Sequence, residues 1–209
     1  MKNRKVSFSR ELRWFSRERE PEIEKWFHLK GSTFGKQKER FDYYLDMYPL
    51  ENVSYKIREG RSEIKQQLAL KSSSFHKRNF HGKVENWVKW SLDLKNSPSE
   101  PNKIFAGIKK EFIKTKKKRL LVIFEVKPNG DIINTKNDNY PAEGCQVEYT
   151  KLWLKQEVWY SFAFEAFGTP LNLKRNLERV SKYVVDLLPR TKCINKNSYS
   201  YARFLKMRS

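Results

Sequence analysis

The feature that most constrains the fold of this chain is a short segment in which charged and apolar residues alternate around a Glu59-Gly60-Arg61 turn. Side chains on a β-strand point alternately to opposite faces. Residues 53–58 therefore have one apolar and one polar, cationic face: Val53, Tyr55 and Ile57 against Ser54, Lys56 and Arg58. The strand after the turn collects its own polar side chains on one face: Glu63, Lys65 and Gln67. We interpret the segment as a β-hairpin whose polar face suits an anion.

The same alternation recurs in the other segments that we interpret as strands. Their polar faces carry Ser9, Glu11 and Arg13; Arg119, Glu125 and Lys127; Gln146, Glu148 and Thr150; and Ser161 and Glu165. In any single strand, a half-exposed sheet with water on its polar side produces this pattern. Its recurrence in so many strands favours a closed sheet, in which polar groups line an interior cavity and helices cover the apolar outer face.

The charge of the chain indicates a polyanionic partner. Its 209 residues carry 44 Lys and Arg against 24 Asp and Glu, which gives a formal charge of +20 and a pI near 9.9. Such a balance favours nucleic acid, polyphosphate, nucleotides or an acidic membrane surface. A length of this order suits a single domain over residues 1–209.

The sequence pattern indicates neither export nor a membrane span. The N-terminus is basic but lacks the apolar stretch of a signal peptide, and the longest strongly apolar run, residues 120–124, is too short to cross a bilayer. Cys145 and Cys193 are too few for a disulfide framework, and we interpret both as free thiols. These features predict a cytoplasmic protein.

Local patterns divide the chain into strands with helices between them. We predict a short helix that opens at Pro21, and strands over 9–15, 41–48, 119–127, 146–154 and 159–167. Residues 83–114 are predicted as a helical insertion, because the apolar residues of its first half have helical spacing: Val84, Trp87, Val88 and Leu92. The second half of this insertion is predicted to be a helix that begins at Pro101. A C-terminal helix is predicted at about 169–188, with Thr169 as its N-cap.

At this level of detail the chain resembles the CYTH, or triphosphate tunnel metalloenzyme, superfamily. The segment with Lys56, Arg58 and Lys65 is similar to the R-x-R and K strand pair of that family, and Arg119 resembles its next basic position. Glu148 falls where a second E-x-E strand would lie, with Thr150 in the second place. Ser9-Arg10-Glu11-Leu12-Arg13 stands in for the opening E-x-E-x-K: it keeps one glutamate, replaces the lysine by arginine and lacks the first carboxylate.

The resemblance implies an α+β fold, an antiparallel eight-stranded β-tunnel with flanking helices that binds a triphosphate-containing small molecule or a polyphosphate. The expected phosphate ligands are Arg13, Lys56, Arg58, Lys65, Arg119 and Lys127. Glu11 and Glu148 are the expected catalytic residues, and with Glu63, Glu125 and Glu165 they are the expected ligands of Mg²⁺ or Mn²⁺. The implied activity is metal-dependent triphosphate hydrolysis. A catalytically silent phosphate-binding protein is the alternative, since two carboxylate positions are changed.

A hypothesis from another class is a nucleic-acid-binding module whose charge is spread over the exterior. The run of residues 114–119, Lys-Thr-Lys-Lys-Lys-Arg, can contact a phosphate backbone. Its first four cations also fit the solvated C-terminal end of a helix, which is the interpretation adopted here. Six tryptophans offer stacking surfaces for bases, but most lie on predicted apolar faces and are assigned to the core. Residues 31–36 are one residue shorter than a Walker A loop, and we interpret them as a basic loop.

Overall fold

The computed structural model describes residues 4–68, 73–94, 111–135, 140–188 and 195–208. In these ranges the strands are β1 Arg4–Ser16, β2 Arg40–Leu45, β3 Val53–Arg58, β4 Arg61–Gln67, β5 Ser73–Lys77, β6 Phe80–Asp93, β7 Phe112–Val126, β8 Ile132–Thr135, β9 Gly144–Leu154 and β10 Glu157–Phe167. The α-helices are α1 Pro21–Leu29, α2 Leu173–Leu187 and α3 Tyr201–Lys206. Phe34–Lys36 and Asn195–Asn197 form short 3₁₀ turns.

Eight of the strands close into an antiparallel barrel. The order around the barrel is β1, β10, β9, β7, β2, β3, β4, β6, and pairing of β6 with β1 closes the ring. Two further strands pair at its margins, β5 with β6 and β8 with β7. Each of these pairings is antiparallel. The predicted fold class, an eight-stranded antiparallel tunnel with flanking helices, is confirmed.

The predicted hairpin is formed by β3 and β4, with Tyr55 opposite Ile64. Its two-residue loop has positive φ at both positions, 46° at Glu59 and 75° at Gly60. Two successive positive φ angles are typical of the type I′ turn, whose twist matches that of the flanking strands. Glycine reaches this region without steric cost, so Gly60 fixes the register that places Lys56 opposite Glu63.

The main core lies between the outer face of the barrel and the helices. Apolar side chains from β1, β7, β9 and β10 pack there against α1 and α2; among them are Leu12, Leu120, Val147, Phe164, Ile23, Phe27, Leu177 and Val184. The C-terminal helix is confirmed but begins at Leu173. The residues before it form a turn, in which the Asn172 N–H donates to the Thr169 carbonyl oxygen at 3.0 Å. Cys145 is a buried free thiol, as predicted, and Cys193 lies outside the described residues. No helix in the described ranges is both long and apolar enough to cross a membrane.

The prediction of a helical insertion at 83–114 is wrong in its first half. These residues form β6, which pairs with β1 so that Glu85 lies opposite Glu11. The apolar spacing was ambiguous because β6 buries side chains on both faces: Val84 joins the outer core, while Trp87 lines the inside of the barrel and is 2% exposed. Most of the predicted second helix falls on residues 95–110, outside the described ranges, and residues 112–114 belong to β7.

A second, smaller apolar cluster fills the barrel at the end where β1 finishes. Its members come from β1, β2, β9, β10, α3 and the residues just before α3: Phe15, Tyr44, Leu152, Leu154, Trp159, Tyr199, Phe204 and Leu205. Phe15 and Phe204 stack with ring centroids 4.2 Å apart. The inner face of the barrel is thus apolar at this end, and its charged side chains gather in the remaining length.

Candidate functional site

The inner faces of the strands surround a polar cavity of about 190 Å³. Among the described residues, eight basic side chains line it: Arg13, Arg40, Lys56, Arg58, Lys65, Lys89, Lys117 and Arg119. Four carboxylates share the lining: Glu11, Glu63, Glu148 and Glu165. Nine of the predicted site residues are therefore brought together from strands far apart in sequence, because alternation in a closed sheet directs one face of every strand inward.

Two predicted site residues, Glu125 and Lys127, do not line the cavity. They pair with each other at 2.8 Å, and their side chains are 28% and 42% exposed. Glu125 lies six residues beyond Arg119 in the same strand, a distance of about 20 Å along an extended chain. Alternation assigns a residue to a face of the sheet but does not give its depth along the barrel.

Glu148 is the centre of one charged group in the cavity. Its Oε1 accepts from Arg13 Nη1 at 3.0 Å and from Thr150 Oγ1 at 2.9 Å, and its Oε2 accepts from Arg119 Nη1 at 3.0 Å. Burial alone would raise the pKa of Glu148, but Arg13 and Arg119 hold that pKa well below its usual range. Glu148 is an ionised counterion that fixes both guanidinium groups.

Asp42, which the sequence analysis did not single out, is the centre of a second group. It is fully buried. Arg58 donates to both of its oxygens at 2.7 and 3.1 Å, Lys117 Nζ donates to Oδ2 at 2.9 Å, and Arg40 Nε lies 3.4 Å away. Burial opposes ionisation, but these cations lower the pKa of Asp42 below its normal range. The sequence signal was present, since Asp42 and Tyr44 alternate with apolar residues at the start of the strand predicted over residues 41–48.

The interpretation of residues 114–118 as a solvated helix end is wrong. They lie in β7, and Lys117 points inward, where it is 2% exposed and also donates to the Tyr44 hydroxyl at 2.9 Å. Burial lowers the pKa of Lys117 to about 7. Lys56, which pairs with Glu63 at 2.7 Å, has its pKa lowered to about 7 by burial and by Arg58. Two lysines of the cavity thus titrate near neutral pH.

A row of carboxylates crosses three strands in register, with Glu85 and Glu165 on either side of Glu11. Glu11 accepts hydrogen bonds from Lys65 Nζ and, at 2.7 Å, from Ser9 Oγ. Glu165 accepts from Gln146 Nε2 at 2.8 Å. Burial and the neighbouring charge of Glu11 raise the pKa of Glu85 to about 7. This section of the barrel is acidic, whereas the section around Asp42 and Glu148 is basic.

The predicted metal ligands do not form a ligand set in this arrangement. Glu11, Glu63 and Glu148 each contact at least one basic side chain. Within the described part of the chain, no three His, Cys, Asp or Glu side chains gather so that they could hold a metal ion. In this arrangement Glu11, Glu63 and Glu148 act as counterions for Lys and Arg. The binding of Mg²⁺ or Mn²⁺ stays a prediction.

The C-terminal segment also reaches the cavity, through Ser200, Tyr201 and Ala202. The Tyr201 ring lies 3.8 Å from Lys117 Nζ and 4.7 Å from Arg13 Cζ, so it covers a cation of each charged group. Such cation–π contacts stabilise a partly desolvated cation without neutralising it. The sequence analysis missed Tyr201, because α3 has only six residues and no charge pattern marks it as part of the site.

Comparison with known proteins identifies no family. No family model matches the chain, and no curated protein matches it. Three solved structures to which the chain is similar are the PH1012 and PH1819 proteins of Pyrococcus horikoshii OT3 and a "putative adenylate cyclase" of Bacillus halodurans. Sequence identities are 16%, 11% and 8%, and TM-scores are 0.45, 0.46 and 0.40. The alignments cover 92%, 96% and 91% of this chain and 98%, 99% and 95% of the other chains. The function of the cavity is therefore inferred from the residues of this chain.

Proposed function

We propose that the protein binds a triphosphate-containing or polyphosphate anion inside the barrel. The observation that carries this proposal is the excess of basic side chains: eight line the cavity, against four glutamates in the lining and the buried Asp42, which pairs with Arg58 and Lys117. A cavity with low-dielectric walls strengthens the attraction between these cations and an anion. The resemblance of the Lys56, Arg58 and Lys65 hairpin to the CYTH strand pair supports the same ligand class.

The geometry suits an anion with several charged oxygens. Arg13 and Arg119 are held by opposite oxygens of Glu148, and Arg58 is held by both oxygens of Asp42. Guanidinium groups fixed in this way present their remaining N–H donors in a set direction, which favours bidentate contacts to phosphate oxygens. Lys56 and Lys117 add positive charge when they are protonated.

The alternative of a catalytically silent phosphate-binding protein is favoured by the state of the carboxylates. Glu11 is paired with Lys65, and Ser9 stands where the resemblance calls for the first carboxylate of E-x-E-x-K. The hydrolytic reaction would need those carboxylates free to bind a metal. The proposed function is therefore anion binding, and an assay of phosphate release decides whether hydrolysis accompanies it.

Calorimetric titration with inorganic tripolyphosphate tests the binding proposal. Arg119→Gln removes a cavity cation but leaves Glu148 paired with Arg13, and it is expected to weaken binding by about tenfold or more. Lys127→Gln removes the same charge from a predicted site residue that lies outside the cavity, and it is expected to leave the affinity unchanged. Equal effects of the two substitutions, or no binding by the unmodified protein, would overturn the proposal.

Phosphate release decides between an enzyme and a binding protein. The unmodified protein is incubated with nucleoside, thiamine and inorganic triphosphates and with Mg²⁺ or Mn²⁺. Release that Glu11→Gln abolishes, with tripolyphosphate affinity retained, would assign hydrolysis to the cavity. Tripolyphosphate binding without release is the result expected of the silent alternative.

A further inference from the structure

We propose a second anion-binding surface on the outside of the barrel, one that takes single-stranded nucleic acid. This surface is independent of the cavity, and the proposal does not rest on the function proposed for that cavity. It is formed by the outer faces of β2, β7, β9 and β10, where lysines and aromatic rings alternate. We call it the outer basic face and define it by eight residues: Phe41, Tyr43, Lys114, Lys116, Lys118, Lys151, Trp153 and Tyr160.

Strand register arranges the outer basic face in cross-strand rows. Lys116 lies between Phe41 and Trp153, its partners on β2 and β9. In a neighbouring row, Lys151 lies between Lys118 and Tyr160. The outward-facing lysines of β7, which are Lys114, Lys116 and Lys118, occur at every second residue, about 7 Å apart along the strand. Each row therefore presents at least one cation next to an aromatic ring.

The rings of this surface are partly open to solvent. Phe41 is 41% exposed, and Lys114 Nζ lies 4.6 Å from the centroid of its ring. Lys116 Nζ and Lys151 Nζ lie 4.4 and 4.9 Å from the ring centroid of Trp153. Lysine stems can cover a ring when no ligand is present and swing their charged ends to a phosphate when a base stacks on it.

A groove of about 300 Å³ adjoins these rows. Lys118, Lys151, Trp153 and Tyr160 line one part of it, and Phe34 and Gly35, from the basic loop noted in the sequence, line another. The carboxylates on this side are few. Glu24 pairs with Arg19 at 2.7 Å, and Glu39 is shared by Lys116 at 3.4 Å and Lys118 at 3.9 Å. Positive charge therefore exceeds negative charge on the outer basic face and in its groove.

The combination of features favours a single nucleic acid strand over other polyanions. A positively charged surface with accessible aromatic faces is the arrangement by which proteins hold unpaired bases, since every base has a π-face. Inorganic polyphosphate would use the lysines but leave the rings without a function. An anionic membrane surface would also use the lysines, and it is included as an arm of the test.

The test measures fluorescence anisotropy of labelled single-stranded oligonucleotides with 5′-hydroxyl ends, so that no terminal triphosphate can enter the cavity. Affinity is expected to rise with oligonucleotide length and to fall with salt. Substituting Lys116→Gln together with Lys118→Gln should reduce the slope of log affinity against log salt by about 1.4. Trp153→Ala should weaken binding roughly tenfold and leave that slope unchanged, because it removes stacking and no charge.

Matched controls separate this surface from bulk charge and from the cavity. The pair Lys174→Gln and Lys182→Gln removes the same charge from exposed positions of α2 and is expected to leave binding nearly unchanged. Arg119→Gln is expected to have no effect on oligonucleotide affinity, and excess tripolyphosphate should not displace the oligonucleotide beyond its effect as a salt. Thermal melting followed by circular dichroism confirms that each variant is folded.

Several outcomes would overturn the inference. They are no binding of any oligonucleotide, an equal loss in the α2 control pair, or a loss in Arg119→Gln as large as that in the Lys116 and Lys118 pair. Binding to anionic phospholipid vesicles that depends on Trp153, without binding to oligonucleotides, would assign the outer basic face to a membrane surface instead.

Discussion

Lys116 and Lys117 are neighbours in β7, but they belong to different regions of the molecule. Lys117 points into the barrel, is 2% exposed and donates to the buried Asp42 at 2.9 Å. Lys116 points outward with a side chain that is 33% exposed, lies over Trp153 and has the exposed Glu39 3.4 Å away. In a closed sheet one face of each strand points into the barrel and the other points outward. Neighbouring residues of the same strand can therefore differ completely in their exposure to water.

The energetic consequence is that removing a charge should cost more stability inside the barrel than on its outer face. A buried carboxylate that holds several cations cannot be removed without leaving those cations desolvated and unpaired. An exposed pair is screened by water and salt, and its loss costs little. The inner charges should therefore control stability and ligand binding, and the outer charges should control long-range attraction.

The largest effect is expected from Asp42→Ala, which leaves Arg58, Lys117 and Arg40 facing one another inside the barrel. Loss of a buried partner of this kind costs about 3–5 kcal/mol in the free energy of unfolding. Urea denaturation followed by circular dichroism measures the change. A loss below about 1 kcal/mol would mean that Asp42 does not hold the inner cations together.

Glu85→Gln tests the acidic section of the barrel, and here the substitution is expected to increase stability. The pKa of Glu85 is about 7 in the folded protein against 4.5 for the free side chain, so the folded state binds more protons between these values and stability is lost as pH rises through them. Glutamine removes this penalty. Above pH 7 the variant should be more stable than the unmodified protein, by about 1–3 kcal/mol.

The comparison for Glu85→Gln is made by urea denaturation at several pH values. Near pH 4.5 the advantage of the variant should vanish, since Glu85 is then protonated in the folded protein. An advantage that is the same at low and high pH would show that the substitution acts through packing and that Glu85 does not carry the titration.

The pH dependence of tripolyphosphate binding distinguishes Lys117 from Lys116. With a pKa of about 7, Lys117 is charged below neutral pH and becomes neutral above it, so affinity for an anion should fall as pH rises through this range. Lys117→Met should lower affinity about tenfold below pH 7 and reduce the pH dependence to the part contributed by Lys56, whereas Lys116→Met should change neither. Ionisation of the ligand is common to all three titrations and cancels in the comparison.

The smallest effect is expected from Glu39→Ala, the outer counterpart of Asp42→Ala. Glu39 is shared by Lys116 and Lys118, and its side chain is 43% exposed. Removing it should change the free energy of unfolding by less than about 0.5 kcal/mol, measured by the same urea denaturation. A cost that approached that of Asp42→Ala would break the distinction between inner and outer charges.

Much of the site could be predicted from alternation in single strands. Arg13, Lys56, Arg58, Lys65 and Arg119 were assigned to polar faces, and all of them line the cavity. Lys127 was assigned by the same argument but lies beyond the cavity, since alternation contains no information on depth. Lys117 was missed because its run of lysines suggested the end of a helix. Side chains alternate between two faces only in a strand, so the rule was not applied to this run.

The strand β6 shows the other limit of a local pattern. Val84, Trp87 and Val88 have the spacing of a helix, but Val84 packs outside the barrel and Trp87 inside it. A strand that buries apolar side chains on both faces loses the alternation by which strands are recognised. Pairing with β1 and β4, which a single-strand pattern does not contain, makes this segment a strand.

The sequence by itself determined which face of most strands is charged, because the two-residue period of a strand is a property of the local backbone. Only the tertiary structure decided that these faces enclose one cavity, how far along its axis each charge lies, that Asp42 holds two of its cations, and that Tyr201 lines it. Those features depend on strand register, on closure of β6 onto β1 and on the place where α3 packs. All three are set by contacts between residues that are distant in the chain.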